Sequence, residues 1–180
     1  MAYPSLHGLF DDQLHELYAA EHEQVKHMPA LIEAAVSLEL KTTLQNHLTE
    51  TEKQFDRLQA ILTSRGVTTR GRRCRAIDSL LKQGADICER GGNEMILDLG
   101  LIFTVRQIEN VERGLHEITR TLAEALGLVD IVRVLDQSRD EEDHMERALT
   151  VLGDDMIDTI AAEVAIIGRD KRQGTGVVSP

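Results

Sequence analysis

Hydrophobic residues recur at the 3.6-residue period of an α-helix along four long segments of the chain. These segments span approximately residues 6–35, 38–64, 94–126 and 128–153. Ser5 and Ser37 precede the first two and can each accept a hydrogen bond from a helix N-terminal amide. Gly127 separates the last two and suits a helix end. The pattern therefore predicts two pairs of long helices, each pair joined by a short turn.

A long connection separates the two predicted helix pairs. It contains a loop rich in arginine and glycine, and then a short amphipathic segment at about 76–89, which Gly91-Gly92-Asn93 ends. After Gly153 we predict a short C-terminal helix at 154–167. The predicted fold class is all-α, a four-helix bundle whose second and third helices are joined by the long connection. We expect residues 1–167 to form the bundle and residues 168–180 a polar, mobile tail.

Two acidic residues interrupt the apolar stripes of the predicted helices. Glu21 lies in line with Leu14 and Met28 on the first helix, and Glu142 lies at the middle of the stripe on the fourth. A carboxylate in such a position loses its water on folding, which costs several kcal/mol unless it is paired, protonated or bound to a metal. No lysine or arginine shares the middle of either stripe. The two acids therefore predict a metal site inside the bundle, and a satisfied core acid is the alternative.

The second and third helices carry further candidate ligands at the edges of their stripes. His47 and Glu50 lie one turn apart on one side of the second helix, either as a ligand pair or as a core histidine beside a solvated acid. Glu109 and Glu112 flank the apolar face of the third helix, and His116 follows Glu109 by seven residues. Each of these three could point inward or towards water, because periodicity alone does not decide between the two.

Carboxylates dominate this set of candidates, with at most one or two imidazoles. Oxygen ligands with some imidazole suit iron or manganese better than a zinc–thiolate site. We predict two ions per chain, since two ions bridged by carboxylates would neutralise four buried acids. The alternative is a hydrated seam in which water and Arg139 or Arg106 satisfy the acids.

Composition excludes several other classes of function. The 180 residues suffice for one domain with its own core, and acidic residues outnumber basic ones by 31 to 20, which gives a formal charge of -11. This balance argues against a nucleic-acid partner, because phosphate binding requires basic surface. No apolar run approaches the ~20 residues of a membrane span, and the N-terminal residues do not resemble a signal peptide. We expect Cys74 and Cys88 to be free thiols in a reducing cytoplasm.

Several short motifs, in this order and at this spacing, resemble the YciE/YciF-type stress proteins, a domain of unknown function within the ferritin-like superfamily. The features are Tyr18-x-x-Glu21, His47-Leu48-x-Glu50-Thr51, Cys74 after the basic loop, Glu109-x-x-Glu112, Ala125-Leu126-Gly127-Leu128 and Asp140-Glu141-Glu142. The resemblance covers about residues 6–150. It implies a ferritin-like up-down four-helix bundle that forms a homodimer and contains a two-metal site.

The resemblance also implies which residues hold the metals. The implied ligands are Glu21, Glu50, Glu109 and Glu142, with His47 and Glu112 as further candidates. Two features depart from the usual ferritin-like pattern. His47 precedes Glu50, the reverse of the Glu-x-x-His order, and Met145 holds the place of an inward histidine after Glu142.

Our first functional hypothesis is a cytoplasmic, stress-related protein that uses two iron or manganese ions to act on peroxide, oxygen or ferrous iron, as a peroxidase or ferroxidase would. The second is an iron-binding protein without turnover. The third is a metal-free helical interaction module whose core acids are a relic. The third hypothesis predicts that replacing Glu21 or Glu142 by leucine stabilises the fold.

Overall fold

The computed structural model describes residues 5–69 and 73–173, with side chains as far as Ile166 in the last helix. Five helices account for nearly all of this backbone, and no strand occurs within those two ranges. They are α1 (Leu6–Ala34), α2 (Leu38–Ser64), α3 (Arg75–Arg90), α4 (Glu94–Ala125) and α5 (Val129–Gln173). The predicted all-α class is confirmed, with α3 as the short helix of the long connection. None of the described helices combines the length and hydropathy needed to cross a bilayer.

Side-chain caps fix the helix ends where the sequence predicts them. Ser5 Oγ accepts a hydrogen bond of 3.1 Å from Gly8 N, and Ser37 Oγ accepts one of 3.1 Å from Leu40 N. The buried carboxylate of Asp98 accepts two more bonds of 2.7 Å, from Val36 N and Ser37 N. Asp98 thereby ties the short turn between α1 and α2 to α4, which was not apparent from the sequence.

The hydrophobic core consists of two clusters at opposite ends of the bundle. The first apolar cluster is built around Phe10, Leu14, Leu58, Leu62 and Leu135. The second apolar cluster is built around Met28, Leu44, Leu101, Ile102 and Leu149. Numbering along each helix shows that α1 and α5 run from the first cluster to the second, whereas α2 and α4 run the other way. The long connection returns the chain to the second cluster, where α3 packs against α1 and α4.

Each long helix has two long neighbours, so that α1, α2, α5 and α4 surround one interior. Between the two apolar clusters this interior is polar. We call it the buried polar layer, and its members are Glu21, Gln24, His47, Thr51, Gln54, Glu109, Glu112, His116, Thr119, Ser138 and Glu142. Of the acids identified from sequence, the fold therefore places Glu21, Glu109, Glu112 and Glu142 at a common level of the bundle.

The predicted helix end at Gly153 is wrong, and the separate final helix at 154–167 does not exist. The helix α5 continues through Gly153 to Gln173. Gly153 does not have a positive φ; instead, an added Cβ would lie 3.3 Å from Ile102 Cγ2. The glycine thus permits close packing of α5 on α4 rather than ending the helix. α5 also passes the predicted domain boundary at residue 168, and residues 174–180 of the predicted tail lie outside the described residues.

Candidate metal centre

The four long helices each contribute to a cluster of buried ionisable side chains in the polar layer. Glu21 comes from α1, His47 from α2, and Glu142 from α5, while α4 contributes a set of three. That set consists of Glu109, Glu112 and His116, which follow one another at spacings of three and four residues. All six side chains are at most 2% exposed. The stripe positions of Glu21 and Glu142 are therefore interior positions, as the periodicity predicted.

These side chains form two groups that could each hold a metal ion. Glu21, His116 and Glu142 offer ligand atoms that all lie within 4.8 Å of one another. In this group His116 Nε2 lies 3.3 Å from Glu21 Oε1. His47, Glu109 and Glu142 form the second group under the same 4.8 Å limit, and His47 Nε2 lies 3.0 Å from Glu109 Oε1. Each group thus combines one imidazole, one carboxylate of its own and the shared carboxylate of Glu142.

Most polar atoms in this cluster lack a hydrogen-bond partner among the described residues. Both carboxylate oxygens of Glu109 and both of Glu142 are in this state, as are Glu21 Oε2 and Glu112 Oε1. The short His47–Glu109 distance does not change this, because the direction of approach is unsuitable for a hydrogen bond. Buried polar atoms normally have partners, since an unpaired one costs about 1–3 kcal/mol. The atoms that converge here are of the kinds that a cation or ordered water would satisfy.

The pKa values of three acids in this cluster are raised. Burial raises the pKa of Glu109 to about 7, and the neighbouring charge of Glu21 contributes to the increase. Burial also raises the pKa of Glu142 well above its usual range, with the adjacent Glu109 charge as the next cause. The pKa of Glu112 is likewise raised by burial and by the charges of Glu21 and Glu142. Without a cation, these carboxylates therefore favour the protonated form.

Basic side chains offset this accumulation of acids only in part: the charge of His47 lowers the pKa of Glu142 and that of Arg113 lowers the pKa of Glu109, yet both pKa values remain raised. Among the described residues, no lysine or arginine is buried. Arg106, proposed from sequence as a partner for the acids, instead binds Glu146 with an Nη2–Oε1 distance of 2.8 Å. Arg139 pairs with Asp136 and Asp140 on the surface. Two divalent cations would match the charge of the four buried glutamates, and the donor set of carboxylates with imidazoles suits iron or manganese. The residues present therefore fit a two-metal site.

Glu112 lies in the polar layer but outside both groups. Its Oε2 accepts a hydrogen bond from Gln24 Nε2, and its Oε1 has no partner in the described part of the chain. Gln24 follows Glu21 on α1, and Glu112 precedes His116 by one turn of α4. Glu112 is thus placed beside the first group, where it can act as a further ligand or orient the others.

The structure does not bring Glu50 into either group. Its side chain is half-buried and lines a cavity between α2 and α5, together with His47 and His144. The ligand role that the resemblance implies for Glu50 stays a prediction without support from this geometry. His144, expected at the surface, is exposed.

The additional group member is His116, whose role the periodicity left open. Its spacing from Glu112 is four residues, which places both on one face of α4, and that face contains Glu109 as well. The sequence did contain a signal for this position. Ionisable residues recur at i, i+3 and i+7 on a helix whose first half is almost entirely apolar, which indicates that all three share one face. Two imidazoles rather than one therefore face the buried carboxylates.

A helical bundle with two overlapping carboxylate–imidazole groups in its interior defines a ferritin-like protein with a candidate two-metal centre. The chain belongs to the family described as "Domain of unknown function (DUF892)", whose model matches residues 5–162. The resemblance to YciE/YciF-type stress proteins is thus confirmed. Protein YciF of Escherichia coli (strain K12) is 24% identical over 153 residues, which cover 84% of this chain and 92% of YciF.

The solved structures that share the fold include two that are named for related proteins. The crystal structure of the E. coli stress protein YciF matches with a TM-score of 0.81 at 23% identity, and the match covers 86% of this chain and 98% of YciF. YcfI from Rhodopseudomonas palustris matches with a TM-score of 0.78 at 30% identity, and this match covers 82% of our chain and 94% of YcfI. Their descriptions name no metal, substrate or reaction, so the case for chemistry rests on the buried polar layer.

Proposed function

We propose that this protein is a stress-related, ferritin-like protein that binds two iron or manganese ions in its buried polar layer and uses them to act on peroxide, oxygen or ferrous iron. One observation carries the proposal. Two groups of buried ligand-type side chains share Glu142, and they contain carboxylate oxygens that nothing in the described chain satisfies.

In this proposal each residue has a distinct task. Glu21 and His116 hold one ion, His47 and Glu109 hold the other, and Glu142 serves both. Bound iron or manganese would supply a reversible change of oxidation state. The two apolar clusters keep bulk water from the layer at the two ends of the bundle. Exclusion of water strengthens the charge interactions inside the layer. Because the layer is buried, the substrate is a small oxidant or a metal ion rather than a polymer.

The relatives supply the biological context of the proposal. YciF is described as a stress protein, and we extend that context to this chain on the strength of the shared family. We further propose a cytoplasmic location without a nucleic-acid partner. The free thiols of Cys74 and Cys88 suit a reducing compartment, and the formal charge of -11 disfavours nucleic acid.

A homodimer is also part of the proposal. From Asp154 to Ile166, every described side chain of α5 is exposed or half-exposed. Ile157, Val164 and Ile166 are 41%, 64% and 61% exposed within this stretch. A second copy of the chain could cover these apolar side chains. Sedimentation velocity of the full chain tests this directly, since a monomer at micromolar concentration would contradict it.

Elemental analysis tests the metal site itself. Metal-free protein is reloaded anaerobically with ferrous iron or with Mn²⁺, desalted and analysed. We expect about two ions per chain in the wild type and none in Glu21→Ala, because Glu21 belongs to one group and its negative charge, which is close enough to Glu109 to raise the pKa of that acid, also attracts a cation to the other group. Glu23→Gln is the matched control, since Glu23 lies two residues away and pairs instead with His27 at 3.4 Å.

The outcomes separate the functional hypotheses. Equal metal content in the wild type and Glu21→Ala would contradict the ligand assignment, provided that circular dichroism shows both to be folded. Two bound ions with catalytic consumption of peroxide support the redox function, whereas two bound ions without turnover support an iron-binding protein. No metal in any sample would leave the metal-free interaction module.

A further inference from the structure

A cavity of about 390 Å³ lies between α2 and α5 and borders one candidate ligand of the metal centre, His47. His47 lines this cavity and also belongs to the second metal group. Met145, which is 3% exposed, lies beside it on α5. The cavity is thus open at the surface of the bundle and is bordered by two buried side chains, one of which is a candidate ligand.

The outer part of the cavity carries two side chains of the kinds that bind metals, and neither has a partner among the described residues. Glu50 lies on α2 and is half-buried, and His144 lies on α5 and is exposed. Neither forms a hydrogen bond or an ion pair with any other described residue, although ion pairs are common elsewhere on this surface. A carboxylate and an imidazole on opposite walls of one opening suit a divalent cation such as Fe²⁺ or Mn²⁺.

We propose that this cavity is the route by which a divalent cation reaches the interior of the bundle. Glu50 and His144 hold the cation transiently at the mouth, and His47 receives it at the inner end. This inference rests on the proposed two-metal function and deepens it. It also gives Glu50 a role outside the buried groups.

Lys53 provides an internal control, because its charge is opposite to that of Glu50. Its side chain is exposed and lines the same cavity, so its positive charge repels an approaching cation. Electrostatic guidance therefore predicts opposite effects for the two charges, with a slower approach when Glu50 loses its charge and a faster approach when Lys53 loses its own. An uncharged solute such as peroxide would respond to neither change.

Stopped-flow mixing of metal-free protein with Co²⁺ tests the proposal, because bound Co²⁺ absorbs visible light and reports binding without any turnover. We expect Glu50→Gln and His144→Ala to slow association, by roughly tenfold for Glu50→Gln at low salt, with the final cobalt content and spectrum unchanged. Lys53→Gln should accelerate association, and raising the salt concentration should diminish all three differences. Glu52→Gln is the matched control, since Glu52 is exposed on α2 and does not line the cavity.

Three results would overturn the inference in distinguishable ways. Unchanged rates in both Glu50→Gln and His144→Ala would show that the cation takes another route. A reduced cobalt content in Glu50→Gln would make Glu50 a ligand of the bound ion rather than a residue of the route. Absence of bound cobalt in the wild type would overturn the proposed function, and this inference with it.

Discussion

Two adjacent acids on α5, Glu141 and Glu142, lie in contrasting environments: one has several hydrogen-bond donors around it, and the other has none among the described residues. Glu141 lies at the interface between α2 and α5, where Arg57 Nη1 donates a hydrogen bond of 3.2 Å to it and Arg57 Nη2 contacts its other oxygen. Gln54 Nε2 and Gln137 Nε2 each donate a further bond of 3.0 Å. Glu142 points into the buried polar layer, where neither of its oxygens has a partner among the described residues.

The pKa directions of the two acids follow from these surroundings. Burial alone would raise the pKa of Glu141, but the hydrogen bonds from Arg57 and Gln137 together lower it below its usual range. Burial raises the pKa of Glu142, followed by the charge of Glu109, and the opposing charge of His47 is too weak to reverse the increase. The chain is thus able to satisfy an acid at this level of the bundle, and it does so at Glu141. Glu141 thus belongs to a structural network between helices, whereas Glu142 lies in the candidate metal centre.

Replacing Glu142 or Glu141 by alanine should change the metal content of the protein very differently. Glu142→Ala should reduce the metal content from about two ions per chain to none, because Glu142 is the member common to both groups. Glu141→Ala should keep about two ions, since Glu141 belongs to neither group. Elemental analysis after reloading with Fe²⁺ or Mn²⁺ makes the measurement. Equal loss in both variants would show that the two acids do not differ in function.

The second effect concerns how the stability of the metal-free protein depends on pH. The folded-state pKa of Glu109 is about 7 against an ordinary value of 4.5, so the folded protein keeps a proton that the unfolded chain releases. The free energy of unfolding that Glu109 contributes is therefore fully present below pH 4.5 and is lost as the pH rises to about 7. A shift of this size corresponds to roughly 3 kcal/mol.

Urea denaturation in the presence of a chelator, at pH values across that interval, measures this loss. The comparison with Glu109→Gln measures the contribution of Glu109 together with its influence on Glu142 and Glu112, because the amide neither titrates nor carries the charge that raises the pKa of those two acids. We expect the wild type to lose more stability than the variant as the pH rises. Parallel curves would show that Glu109 does not differ in pKa between the folded and unfolded chains.

The contrast between Glu141 and Glu142 was only partly accessible from the sequence. Periodicity placed Glu142 and Glu21 in the interior because both lie at the centre of an apolar stripe, and an acid there has no other interpretation than burial. The caps at Ser5 and Ser37 were equally clear, since a serine before an amphipathic segment has one local role. These features depend on residues close in sequence.

The remaining features depend on packing between helices. A periodic pattern along one helix contains no information about where the neighbouring helices lie. Glu50 is three residues from His47, so it is rotated about 60° around α2 and faces the cavity with α5 instead of the polar layer. His116 lies inside the bundle, where α1 places Glu21 beside it. Gly153 resembles a helix end in sequence, but the proximity of Ile102 on α4 explains the glycine. Each of these needs the position of a second helix.

The smallest difference that we predict between Glu141 and Glu142 is in the free energy of unfolding of the metal-free protein. In the metal-free protein, Glu142→Leu should raise the free energy of unfolding by about 1 kcal/mol or more, because leucine removes an unsatisfied buried carboxylate and its repulsion with Glu109. Glu141→Leu should lower it by about 1 kcal/mol, since Arg57 and Gln54 lose their acceptor and Arg57 is only partly exposed. Urea denaturation with a chelator measures both variants, and added metal should stabilise the wild type but not Glu142→Leu. If both leucine variants are destabilised in the metal-free form, the polar layer contributes to folding in its own right, and the distinction between a binding site and a structural network would not hold.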